Sequence, residues 1–187
     1  MANGFGNGGL QRSAPWRMIG WGLAGCVLLA PLVAMRFTEE VNWTASDFVF
    51  AGLLLGSVGL GVELVVRRSG HPAYRAASVV ALAAAFLLVW INAAVGIIGG
   101  EHQDANVLFI AVPAVALLGA VAARFRPVGM AWALAATALA QALVPVIAST
   151  FGPGVRALAW SPQVLVLSGF FAALWLSSAW LFRRAAT

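Results

Sequence analysis

Six long apolar runs dominate this chain and limit what it can fold into. They cover residues 18–35, 46–66, 75–98, 106–123, 128–149 and 163–182. Each approaches or reaches the ~20 residues that a helix needs to cross ~30 Å of hydrocarbon. Proline is expected in the first turn of helices three, five and six, at Pro72, Pro127 and Pro162, and Ser161 is a natural N-cap. An unpaired backbone amide in lipid costs several kcal/mol, and the runs lack the alternation of barrel strands, so helices are predicted. The predicted fold is all-α, a polytopic membrane bundle of about six transmembrane helices.

The composition agrees with lipid as the solvent. Hydrophobic residues make up 62% of the 187 residues and charged residues only 9%, whereas soluble domains carry roughly 25% charged residues. So few charges cannot cover a soluble core of this size. The chain contains eleven arginines and no lysine. The arginines fall in short clusters rather than on one face, so nucleic-acid binding is not expected. The single cysteine, Cys26, excludes an intramolecular disulfide.

Arginine placement predicts the orientation of the bundle. The clusters alternate along the six runs, and those assigned to one side are Arg12, Arg17, Arg67, Arg68, Arg75, Arg124, Arg126, Arg183 and Arg184. The positive-inside rule places this side, with both termini, in the cytoplasm. Residues 1–15, rich in Gly and Asn, are predicted to be a flexible cytoplasmic tail, and residues 16–187 a single transmembrane domain.

Acidic residues collect in the two loops predicted to lie outside. Carboxylate oxygens suit hard cations and imidazole suits transition metals. If the loops meet, a divalent cation or cationic solute has six candidate ligands: Glu39, Glu40, Asp47, Glu101, His102 and Asp104. Their spacing matches no dedicated metal motif, so the metal and any cofactor stay unknown. A structural alternative is that Thr44 and Asp47 form a capping box, that Asp104 caps helix four, and that the glutamates are solvated.

The first outer loop reads Phe-Thr-Glu-Glu-Val-Asn-Trp-Thr-Ala-Ser-Asp-Phe from Phe37 to Phe48. With this stretch the chain resembles a group of uncharacterised small bacterial membrane proteins that carry a Phe-Thr-x-Glu-Val-Asn-Trp-Thr-x-x-Asp-Phe motif. The resemblance covers chiefly this loop and helices two and three. It implies a multi-pass protein of the bacterial inner membrane, and it brings no activity, substrate or cofactor.

One face of helix two carries a glycine stripe and the acidic residue Glu63. The stripe consists of Gly52, Gly56 and Gly59, whose helical spacing lets another helix approach closely, so it is interpreted as a packing seam. Glu63 has two interpretations. It either pairs with Arg67 one turn later, or it serves as a proton or cation site inside the membrane.

Two amides, Asn92 and Gln141, also fall within predicted spans. Such groups usually join helices through hydrogen bonds, and Gln141 shares a face with Thr137. Pro31, Pro113 and Pro145 lie inside helices one, four and five. Each removes a backbone hydrogen bond and leaves a carbonyl free. The proline either serves only to kink the helix, or the free carbonyl coordinates a cation or water.

Two functions from different classes fit these features. The first is a structural or accessory membrane protein that packs against another membrane protein or itself. The second is a channel or transporter for a small solute or cation, with an acidic outer rim; it requires Asn92, Gln141, Glu63 and the freed carbonyls to line one connected cavity. An enzyme is not expected, because the sequence lacks a Gly-x-Ser-x-Gly motif, a phosphate-cradling glycine loop and any lysine.

Overall fold

The structure, a computed structural model, describes residues 15–100 and 102–187. Within these residues every regular element is a helix, which confirms the all-α prediction. The α-helices are α1 (Pro15–Ala34), α2 (Ala45–Arg68), α3 (Pro72–Val95), α4 (Val107–Ala122), α5 (Pro127–Ala148), α6 (Pro153–Ala159) and α7 (Pro162–Arg184). Short 3-10 turns cover Asp104–Asn106 and Ser149–Phe151. The predicted tail before Pro15, and Glu101, lie outside the described residues.

Six helices match the six predicted spans: α1 to α5 and α7. Each is long and apolar enough to cross a membrane, α4 together with the 3-10 turn before it. As expected from its fixed φ and missing N–H, proline occupies the first position of α3, α5 and α7. Pro31, Pro113 and Pro145 lie inside helices as predicted.

Several helix ends differ from the prediction. The predicted span 75–98 begins and ends later along the chain than the helix does. α3 begins at Pro72, and it ends before Gly96, which has a φ of 64°. The Asp104 cap is wrong: Asp104 is inside the 3-10 turn, and Asn106 occupies the N-cap position of α4. Ser161 is at the N-cap of α7 but makes no capping hydrogen bond. The apolar pattern did not reveal α6, which has only 7 residues.

Contacts divide the chain into two units, with the boundary inside α2 between Gly59 and Leu60. In the first unit, α1 packs on the N-terminal part of α2. A Cβ built at Gly59 would lie 2.8 Å from the Trp21 ring, and one at Gly52 would lie 3.7 Å from Leu28. These two glycines therefore admit α1 side chains. That residues 16–187 form a single domain stays a prediction.

In the second unit, α7 lies between α3 and α5 and packs extensively on both, and α4 packs on α5. The Tyr74 ring on α3 meets the Phe182 ring on α7 at 5.0 Å between centroids, and the Tyr74 hydroxyl donates to the Phe125 carbonyl just before α5 at 3.0 Å. The starts of α3 and α5 therefore lie beside the end of α7. We call this level, with Arg68, Arg124, Arg126 and Arg184, the arginine end.

The core of this unit combines aromatic side chains on α4 and α7 with a face of α3 that contains two buried alanines. Its large side chains have no exposed surface: Phe109, Phe171, Trp175 and Phe182. The α3 face opposite them carries Ala77 and Ala84, which lets α7 approach closely. One hydrogen bond shows this close approach: the Ser178 hydroxyl of α7 donates to the Ala77 carbonyl of α3 at 2.7 Å.

Candidate functional site

The acidic residues of the first unit lie at the start of α2. The Asp47 carboxylate accepts the Thr44 backbone N–H at 2.7 Å and the Thr44 hydroxyl at 2.8 Å. This geometry forms one half of the predicted capping box, because the N3 carboxylate satisfies the N–H of the capping residue. In the other half, the Asp47 N–H bonds to the Thr44 carbonyl rather than to its hydroxyl. The Thr44 hydroxyl and Asp47 Oδ2 are thus already used within the turn. Glu39 and Glu40 are exposed.

The acidic residues of the second unit flank the 3-10 turn Asp104–Asn106. His102 and Asp104 are exposed, and Glu101 is outside the described residues. Over residues 15–100 and 102–187, no group of three or more His, Cys, Asp or Glu side chains is placed to hold a metal ion. The six-ligand cation site stays a prediction.

Glu63 lies in the second unit and bonds to Arg67. The Arg67 Nη2 donates to Glu63 Oε2 at 3.4 Å, one helical turn away. The Glu63 side chain is 12% exposed whereas that of Arg67 is 67% exposed, so the cation reaches out toward solvent and the carboxylate stays near the helix. The bond agrees with the structural interpretation of Glu63. In the predicted seam, Gly56 differs from Gly52 and Gly59, because no described atom lies within 4 Å of its built Cβ.

Asn92 and Asn106 fasten the loop between α3 and α4. The Asn106 side chain accepts the Ile98 N–H at 2.8 Å and donates to the Gly100 carbonyl at 2.6 Å and the Ile98 carbonyl at 3.4 Å. The Asn92 amide donates to the Asn106 carbonyl at 3.2 Å. Both asparagines are buried. Asn92 therefore joins two segments, as predicted for a helix-joining amide, while Asn106 was not singled out from the sequence.

Gln141 differs from the two asparagines, since neither its amide nitrogen nor its amide oxygen has a hydrogen-bond partner among residues 15–100 and 102–187. The side chain is 0% exposed. Pro145, four residues later, has no N–H to donate to the Gln141 carbonyl. The Ser168 hydroxyl and the Trp175 indole nitrogen on α7 are buried without partners as well. The Asn92 Oδ1 atom on α3 also lacks a partner among the described residues. Buried polar groups are normally hydrogen-bonded, so four side chains with such atoms in one core require an explanation.

Helix geometry places Gln141 and Ser168 at the same level of the bundle. Gln141 follows Pro127, and Ser168 precedes Phe182, by 14 residues in each case. At a rise of ~1.5 Å per residue, both are about 21 Å from the arginine end. Trp175 is seven residues from Ser168 on the same helix and so shares its face. Trp175 is therefore about 10 Å nearer the arginine end than Ser168. We call the three side chains Gln141, Ser168 and Trp175 together the buried polar layer.

At the arginine end, a tight turn connects α4 to α5. Arg124 and Phe125 both adopt left-handed backbone conformations, with φ 49° and 59°, at a cost of roughly 1–2 kcal/mol each. Two groups outside the turn hold it: Arg68 donates to the Arg124 carbonyl at 3.3 Å and Tyr74 to the Phe125 carbonyl. The Arg68 guanidinium also lies over the Phe125 ring, 5.1 Å from its centroid.

A cavity of about 450 Å³ opens beside this turn. Its walls include Arg68, Ser69, Tyr74, Arg124, Phe125 and Arg126. None of the proposed intramembrane groups Glu63, Asn92 and Gln141 lines it. The sequence marked these arginines only as determinants of orientation, and nothing in the spacing of Arg68 and Arg124 indicated that they share a wall.

Comparison of the chain with protein-family models, with curated proteins and with solved structures gives no match. The function is therefore inferred from the residues of this chain alone.

Proposed function

We propose that this protein is a structural or accessory multi-pass membrane protein that packs against a partner membrane protein or a copy of itself. Its six long apolar helices suit a bilayer. The arginine end faces the cytoplasm in this proposal, because the positive-inside rule favours that orientation. The resemblance at Phe37–Phe48 favours the bacterial inner membrane.

The observation that carries the proposal is how the polar side chains of the second unit are used. Ser178 bonds to the Ala77 carbonyl, Asn92 to the Asn106 carbonyl, and Glu63 to Arg67. The first two bonds join separate segments of the chain, as is typical of helix association in membranes, and the third lies within α2. A transport pathway instead needs its polar groups directed toward one aqueous cavity. The proposal includes no catalytic role.

Native mass spectrometry of the gently solubilised protein tests this proposal. We expect a fixed homo-oligomer or a stoichiometric partner subunit, unchanged by divalent cations, by chelation, or by the double substitution Asp47→Ala/Glu101→Ala. Asp47 is expected to be dispensable for assembly because its carboxylate serves the Thr44 cap. A monomer without a partner would contradict the scaffold function. Stoichiometric cation binding that the double substitution abolishes would place the acidic loops in a functional metal site.

A second candidate, a channel or transporter for a small solute or cation, is favoured by the buried polar layer. Gln141, Ser168 and Trp175 together offer donors and acceptors that the described chain does not use. Interiors of transporters carry such groups to replace the hydration of a solute. The two functions differ in whether the layer is dry.

The substitution Gln141→Leu separates the two functions. In a dry scaffold it should stabilise the protein by about 1–3 kcal/mol, because it removes two buried polar atoms that have no partner. The melting temperature in detergent, followed by tryptophan fluorescence, is the measurement. Ser178→Ala is the matched control on the same core; it should lower the melting temperature, because it removes a bond between helices. If Gln141→Leu destabilises the protein instead, the layer is hydrated or occupied, and transport becomes the better proposal.

A further inference from the structure

The arginines at the arginine end are not equivalent. Arg67 bonds to Glu63, Arg75 donates to the Ser69 and Val66 carbonyls at 2.7 and 3.1 Å, and Arg184 stacks on the Trp180 ring at 3.8 Å. Each of these has a structural role within the chain. The guanidinium groups of Arg124 and Arg126, by contrast, make no hydrogen bond or ion pair to the described residues.

Arg124 and Arg126 line the same cavity as Arg68. A guanidinium has five N–H donors, and Arg68 uses one of them to bond to the Arg124 carbonyl. Among the described residues no carboxylate belongs to the cavity wall, so three cations line one cavity without a counterion from that part of the chain. The wall also contains the Ser69 residue and the ring of Phe125. The first turn of α5 begins at Pro127 in this wall, and the positive end of its dipole adds to the field.

The positive-inside rule explains why arginines are at this end. It does not explain why the turn between α4 and α5 has a strained backbone. Arg124 and Phe125 are consecutive non-glycine residues in left-handed conformations, and Arg68 and Tyr74 bond to both of their carbonyls. Strain of this kind persists where surrounding contacts determine it, and it is frequent at ligand sites. The strained turn therefore lies between the two arginines, Arg124 and Arg126, that line the cavity.

We propose that this cavity binds a phosphate-bearing anion, with Arg68, Arg124 and Arg126 as its donors. Planar guanidinium groups recognise phosphate oxygens in a bidentate manner. The cavity lies at the ends of helices long enough to cross a bilayer, which is the depth of lipid head groups. The source favoured by this position is the head group of an anionic phospholipid; a free phosphate ester offers the same chemistry. The lipid source rests on the membrane location proposed above.

The test compares two double variants of equal charge. Arg124→Gln/Arg126→Gln removes the two unengaged donors, and Arg183→Gln/Arg184→Gln removes two arginines of the same end that do not line the cavity. Each protein is released from phosphatidylcholine bilayer nanodiscs doped with phosphatidylglycerol, and native mass spectrometry counts the retained lipids. A second arm replaces the lipid by inorganic phosphate and by glycerol phosphate, and follows the melting temperature.

The wild-type protein and the Arg183/Arg184 control should retain one phosphatidylglycerol per chain in preference to phosphatidylcholine. The Arg124/Arg126 variant should bind it about thirtyfold more weakly, since each arginine contributes ~1 kcal/mol to anionic lipid binding. Stabilisation by soluble phosphates without lipid retention would support the site and assign it to a free phosphate ester. Equal loss in both variants, or no preference for the anionic lipid and no response to phosphate, would overturn the proposal.

Two further controls separate a loss of folding or assembly from a loss of lipid binding. The single substitution Arg126→Lys keeps the charge and leaves the strained turn untouched, so it should bind lipid between the wild-type and double-variant levels. The oligomer measured for the proposed scaffold is recorded in the same spectra. An intact oligomer with neither retained lipid nor a response to soluble phosphates refutes the phosphate site alone, whereas retained lipid on a monomer refutes the scaffold alone.

Discussion

The substitution Asn106→Asp should destabilise this protein by an amount on the order of 3 kcal/mol. Aspartate keeps the oxygen that accepts the Ile98 N–H, but it replaces the amide nitrogen that donates to the Gly100 and Ile98 carbonyls. A carboxylate oxygen would then face two carbonyl oxygens at a position that is only 6% exposed. Repulsion and the cost of burying the charge act in the same direction.

Thermal unfolding in detergent, monitored by tryptophan fluorescence, measures this loss. Asp104→Asn is the matched control, because it makes the reverse exchange at an exposed residue of the same 3-10 turn and should change little. Acidification until the new carboxyl protonates should recover part of the stability, since the acid regains an O–H donor. A melting temperature equal to that of the control would show that the Asn106 side chain does not hold the loop.

A comparably large loss is expected for Gly119→Val at the seam between α4 and α5. A Cβ at Gly119 would lie 2.7 Å from the Ala133 Cβ and 3.3 Å from its Cα. Because the obstacle is a backbone-linked methyl group rather than the tip of a flexible side chain, the helices must separate. Overpacking of this kind typically costs about 1–3 kcal/mol or more, and separation also removes contacts along the rest of the seam.

The same unfolding measurement tests this seam with two companions. Gly169→Val introduces the same side chain on α7 where no described atom is within 4 Å of the new Cβ, so it should be nearly neutral. Gly119→Ala should be rescued by Ala133→Gly, which removes the opposing methyl group. Failure of the rescue, or equal losses at positions 119 and 169, would mean that close approach at Gly119 is not what stabilises the pair.

The sequence predicted the features that depend on short stretches of chain. Apolar runs near membrane length gave the six long helices, and proline marked the starts of α3, α5 and α7. The cap of Asp47 on Thr44 and the pair Glu63–Arg67 are separated by three and four residues, so helical spacing alone indicated them.

Features that depend on distant residues could not be predicted. Ser178 meets the Ala77 carbonyl across 101 positions of sequence, and no local pattern identifies that partner. Asn106 looked like the start of a span, whereas its side chain fastens a loop that precedes it. Gln141 was expected to join helices, but the α7 residues at its level do not bond to it. Which helices share an interface decides these outcomes, and apolar composition does not specify it.

The position of α7 has a consequence for how the bundle is made. In the described residues α3 and α5 pack chiefly on α7 rather than on each other, yet both precede it in the chain. During synthesis, α3 and α5 enter the bilayer before α7, the helix on which both of them pack, has been made. The alanine face of α3 and the face of α5 that packs on α7 must therefore first contact lipid or an insertion factor. Assembly of this unit is completed only when α7 inserts between them.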